Sequence, residues 1–212
     1  YGIVNAQSDD TIGAYTGNAS GSTSYAAALS VTVNEKKGTT SATVTNSDLT
    51  HTGNSTETGT VNKGVADSVI NDGIVGDIDV GASLVGDRTE QRVSGLSIGA
   101  TSTETYKTFV INGSGSVTGA GAGTVSVTYH GGDTTTTVSG SNLSAKGDVD
   151  IFSGDYVNID TVSTTVAGAQ TAAVPISVNV MTTEHETQTS VTGGALSVAD
   201  GQTISVTSEA KE

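Results

Sequence analysis

The feature that most constrains this chain is an alternation of apolar and small polar residues, carried mainly by β-branched side chains. It runs through Val125-Ser-Val-Thr-Tyr129, Asp148-Val-Asp-Ile-Phe152, Val157-Asn-Ile159, Pro175-Ile-Ser-Val-Asn-Val180 and Gln202-Thr-Ile-Ser-Val206. Successive side chains of a strand point to opposite faces, so a period of two marks extended backbone with one buried face. β-branched residues favour that geometry. The pattern predicts an all-β chain. Composition narrows the choice further: among 212 residues there are 28 Gly, one Pro, no Cys and no Trp, with 34% hydrophobic and 4% aromatic. A helical bundle and a disulfide-stapled module are both excluded. Few bulky side chains are present to fill a large enzyme core.

Repeats shape the next expectation. Leu29-Ser-Val-Thr-Val33, Val125-Ser-Val-Thr-Tyr129 and Ile176-Ser-Val-Asn-Val180 each lead through a polar stretch into a Val and a Leu five positions later. These closing pairs are Val44 and Leu49, Val138 and Leu143, and Val191 and Leu196. Ile78-Asp-Val80 through Val93-Ser-Gly-Leu96 reads as a worn fourth copy. The whole chain, 1–212, is then one repeat-built domain with units near 25–52, 77–100, 119–152 and 172–206, about 50 residues each. With the polar stretches read as turns, inward Val, Ile and Leu would form stacked columns. Turns of roughly 20 residues would stack about ten high at ~4.8 Å, giving a rod on the order of 50 Å. The expected architecture is a parallel β-helix, a β-solenoid, with a β-sandwich filament subunit as the alternative. Val61, Val65 and Val69 with Ala66 suggest one short helix ending at Asn71-Asp-Gly73.

Gly119 to Leu143, Gly147-Asp-Val-Asp-Ile151, Thr165-Val-Ala-Gly168 and Ala173 to Leu196 resemble the repeats of large bacterial exoproteins, the filamentous-haemagglutinin-like and leukotoxin-like adhesins. The likeness covers roughly 115–206 and, more loosely, 25–100. It implies a right-handed parallel β-helix forming a long stalk at the cell surface.

Lys plus Arg number 8 against 22 Asp plus Glu, a net charge of −14. Such a surface repels phosphate backbones and anionic lipid, so neither nucleic acid nor a membrane is an expected partner. No apolar run is long enough to span a bilayer. The start at Tyr1 without Met suggests a processed protein or a piece of a longer one. Together these point to an extracellular or cell-surface protein without enzymatic activity, either a stalk segment of an adhesin or a mature subunit that self-assembles into filaments. Self-association and a cell-surface glycan or protein receptor are the expected partners. A β-helical glycan-degrading enzyme would need an aromatic-lined groove, and only two Phe and six Tyr are available.

Candidate sites are few. Gly95-Leu-Ser-Ile-Gly99 matches a nucleophile-elbow pattern, but no helical period follows it, so Ser97 reads as a strand residue. Gly119-Ala-Gly-Ala-Gly123 nearly imitates a phosphate loop, but a strand follows, so it reads as a small-residue corner. Asp148 and Asp150 lie two apart on one expected face, with Asp155 and Asp160 following, and Asp77 and Asp79 repeat the spacing. With backbone oxygens, Asp148, Asp150 and Asp155 make calcium the candidate ion, against a solvated acidic face. No other cofactor is expected. His51, His130 and His185 read as solvated turn residues. Asn18, Asn54, Asn112 and Asn142 fit the glycosylation acceptor pattern, all in expected turns.

Overall fold

The computed structural model describes residues 1–53, 56–65 and 88–211. The described residues form ten strands and no helix. They are β1 (Gly2–Ser22), β2 (Tyr25–Thr45), β3 (Asp48–His51), β4 (Gly59–Val65), β5 (Arg88–Val93), β6 (Leu96–Ser116), β7 (Gly119–Ala145), β8 (Val149–Gly168), β9 (Ala172–Val198) and β10 (Ile204–Lys211). The all-β expectation holds. Val61 and Val65 belong to strand β4, so the short helix does not form there, and 66–73 lie outside the described residues.

The chain builds two parallel sheets by crossing between them. Sheet A has the order β1-β6-β8-β10, and in sheet B both the β2/β3 edge and β9 pair with β7. Register partners are 53 residues apart between β6 and β8 and between β7 and β9, as in Leu96 opposite Val149 and Gly119 opposite Ala172. Between β8 and β10 the offset is 55, Val149 opposite Ile204. Each circuit therefore consumes more than fifty residues rather than twenty. The difference arises because the polar stretches are strand, not turn: β2 and β7 run unbroken through them. The antiparallel pair β4–β5 is the third sheet and packs on the outer face of sheet A. There Val61 and Val93 cover Phe152, and Lys63 pairs with Asp150 at 2.8 Å.

The closing Val and Leu residues do form rows. Val44, Val138 and Val191 are in register, as are Leu49, Leu143 and Leu196. Val93 stands outside this row, at the end of β5. Spacing by five would place Val and Leu on opposite faces of a regular strand. The parity is reset by a left-handed residue between them: Asn46 (φ 49°), Gly140 (φ 59°) and Gly193 (φ 67°). Both rows consequently face inward, joining Leu96, Ile98, Val149 and Ile151 of sheet A in the main apolar core. Each fully buried aliphatic there contributes about 1.5–3 kcal/mol.

The leading Val columns, by contrast, face out. Leu29, Val31 and Val33 of β2 and Ile176, Val178 and Val180 of β9 are exposed. The physical reason is parity: Val33 and Val44 are an odd number of residues apart on one continuous strand, and the inward position of Val44 forces Val33 outward. The alternate residues Ser30, Thr32, Thr124 and Ser126 are buried instead. They are partly tied together by hydroxyl bonds, including Thr32 to Thr16 at 2.9 Å and Thr124 to Ser177 at 2.9 Å. The space between the sheets thus passes from an apolar end, through a charged middle, to a Ser/Thr-lined end.

Candidate functional site

The charged middle is the chemically distinctive part of the molecule. Strand parity selects its members: Asp10 of β1, Glu104 of β6 and Asp155 of β8 point inward from sheet A. Lys36 of β2, His130 of β7 and His185 of β9 meet them from sheet B. Register fixes the rows, with Asp10 opposite Glu104, Lys36 opposite His130, and Gly132 opposite His185. A cavity of about 220 Å³ lies among Asp10, Lys36, Glu104, His130 and Asp155.

Glu104 is the hub. Its carboxylate accepts from Lys36, from Ser102 Oγ at 3.2 Å and from the Tyr106 hydroxyl at 3.1 Å. His130 Nδ1 lies 2.6 Å from Glu104 Oε2. Lys36 also donates to Asp10 at 2.6 Å. Burial opposes ionisation of Glu104, but the hydrogen bonds from His130 and Lys36 outweigh it and hold the carboxyl down to about 2. Burial likewise opposes a charged His130, and its carboxylate neighbours Asp155 and Glu104 overcome that, lifting the imidazole to about 9. Burial, reinforced by Glu104, pushes the Tyr106 phenol up. Burial disfavours the Lys36 ammonium, yet its bonds to Asp10 and Glu104 raise its pKa. The Asp10 pKa is lowered, chiefly by the Lys36 hydrogen bond. This arrangement can hold fixed charges, store a proton or ligate a cation.

Asp155 is the one aspartate of the expected calcium trio that enters this cluster. Its carboxylate is 3.7 Å from His130 Nε2 and 3.9 Å from His185 Nε2. Asp148 instead holds the turn before β10, accepting from the Thr203 amide at 2.8 Å and hydroxyl at 3.0 Å. Asp150 faces the opposite side of β8, toward Lys63. The three do not converge. Asp77 and Asp79 lie outside the described residues.

The histidines depart most from expectation. All three lie in strands, and His51 and His130 are buried. A sequence signal for this existed: His130 and Val138 are eight residues apart on one strand, an even spacing that puts both on the inward face.

Among the glycosylation candidates, Asn18, Asn112 and Asn142 are strand residues rather than turn residues. Asn112 is fully buried and donates to the Gly123 carbonyl, which denies a glycan access in the folded chain. Asn18 and Asn142 are exposed, and Asn54 lies outside the described residues. Ser97 is buried on the outer face of β6, with strand rather than helix following. Gly119–Gly123 opens strand β7. Among the described residues, no helix is long and apolar enough to cross a membrane. The chain matches no protein-family model, no curated protein and no solved structure.

Proposed function

We propose that this chain is a non-enzymatic structural and adhesive protein of the cell exterior, a stalk segment of a filamentous surface adhesin wound as a right-handed parallel β-helix. The observation that carries the reading is the repeated register. The first circuit, which includes β4 and β5, advances 94 residues and the later ones 53 to 55, and each lays a further parallel strand on the stack, so another circuit would extend it without disturbing those beneath. Right-handedness follows the general rule for crossovers between parallel strands. The resemblance of 115–206 to bacterial exoprotein repeats supports a surface location and a glycan or protein receptor.

Self-assembly of separate subunits is the second reading, favoured by the apolar outer face of sheet B. Contiguous exposed aliphatic surface of this kind marks association sites. In either case the strands lie across the fibre. Strands of 20 to 27 residues span about 65–90 Å at ~3.3 Å per residue. Cryo-electron microscopy of the native protein should show ribbons of about that width with ~4.8 Å spacing along the axis. Thin rods much narrower than this would sink the reading, as would compact globular particles.

A further inference from the structure

We propose that His130, Asp155 and His185 form a binding site for a zinc-type divalent transition metal. The three side chains come from three strands in two sheets, and their ligating atoms all lie within 4.8 Å of one another. Tetrahedral zinc with bonds of ~2.0–2.1 Å sets its ligands about 3.3–3.4 Å apart. The distances of 3.7 and 3.9 Å from the Asp155 carboxylate to the two Nε2 atoms need a contraction of about half an ångström, and the histidine pair, within 4.8 Å, a closure of up to about 1.5 Å. Two imidazoles and a carboxylate select zinc, cobalt or a similar ion over calcium or magnesium, which take oxygen ligands.

A second, independent observation points the same way. His130 Nε2 and Asp155 Oδ1 are buried without a hydrogen-bond partner, a costly state that a bound cation would relieve. His130 is also prepared for ligation. With Nδ1 engaged by Glu104 and Tyr106, the Nε2 lone pair is left toward Asp155, the carboxylate–histidine–metal arrangement of known metal sites. Asp10, Glu104 and Asp155 outnumber the one lysine, Lys36, so the cluster holds more acidic than basic side chains, and ligation by His130 would exchange its proton for the metal ion. The cavity bordered by His130 and Asp155 leaves room for water at the fourth position.

The rival occupant is a proton on His130, bridging Glu104 and Asp155 with no metal. The two are separated by titrating the chelator-stripped full chain with Co²⁺ and Zn²⁺. The metal site predicts one equivalent bound, with the intense visible absorption of four-coordinate cobalt, and displacement by Zn²⁺ but not by Ca²⁺. It also predicts that Zn²⁺, and not Ca²⁺, raises the thermal midpoint of the unaltered protein, a readout that needs no variant. His185→Gln, at the least buried ligand, should weaken binding at least about 100-fold, and Glu104→Gln about 10–100-fold. Absence of stoichiometric Co²⁺ and Zn²⁺ binding would overturn the proposal in favour of the proton. Unchanged affinity in a folded His185→Gln variant, or displacement by equimolar Ca²⁺, would overturn it equally.

Discussion

Glu104 illustrates how a single buried charge is made tolerable. A lone carboxylate at this depth would be protonated, yet Lys36 and His130 keep it ionised. Removing one partner of a buried ion pair costs about 3–5 kcal/mol, because the other charge is left uncompensated. Glu104→Gln is expected to lower unfolding stability by that order in urea. Asp10→Asn, at the half-exposed end of the same network, should cost less than about 1 kcal/mol. His51 presents a different case. Burial lowers its pKa below the ordinary 6.5, with Glu57 opposing the effect and Lys146 adding to it. The unfolded chain therefore takes up the proton at higher pH than the folded one. The stability tied to a neutral His51 is complete above about pH 6.5 and is lost as pH falls below it. Urea midpoints measured from pH 7.5 to 5 should fall more steeply for the wild type than for His51→Leu.

The strands owe their length to residues that read locally as turns. Gly38-Thr-Thr-Ser41 and Gly131-Gly-Asp-Thr134 carry turn-like composition, yet both lie inside continuous strands paired at every position. Extended pairing with neighbours overrides local preference, since each backbone group finds its partner in the next circuit. Continuity then decides the faces: with no turn to reset parity, Val31 and Val178 must face out when Val44 and Val191 face in. On the outer face they do nothing for the core, so their replacement tests association alone. Val31→Lys combined with Val178→Lys should abolish concentration-dependent association in sedimentation velocity. Surface changes of this kind shift stability by no more than about 0.5 kcal/mol each, so the thermal midpoint should move little. Association that survives both substitutions would place the contact elsewhere.

Across the whole molecule, the two sheets enclose three environments in sequence along the strands. The apolar end was legible in part: the Val-to-Leu spacing of five identified Val44, Leu49, Val138, Leu143, Val191 and Leu196, and all six line or pack against the core. The charged middle was not legible as a unit, because Lys36, Glu104, His130, Asp155 and His185 are scattered over 150 residues. Only the circuit length brings them together. A circuit of twenty residues would have set His130 and His185 on unrelated levels, whereas one of 53 places them one inward position apart on adjacent strands. Asp155 was visible as a candidate ligand, but its partners lie across the sheet interface and not along its own strand.

What the sequence determined by itself was the extended backbone and, through the spacing of residues within each strand, which side chains share a face. Both are local properties, set by β-branched sterics and the two-residue period. Which of the two faces turned inward, how many residues one circuit consumed, and which charges met in the middle were decided only by the tertiary structure. The reason is that alternation is symmetric: Val-Ser-Val reads the same whichever face is buried. That symmetry is broken by rows assembled from distant circuits, here the Val–Leu core closing at one end and committing every residue along the strand.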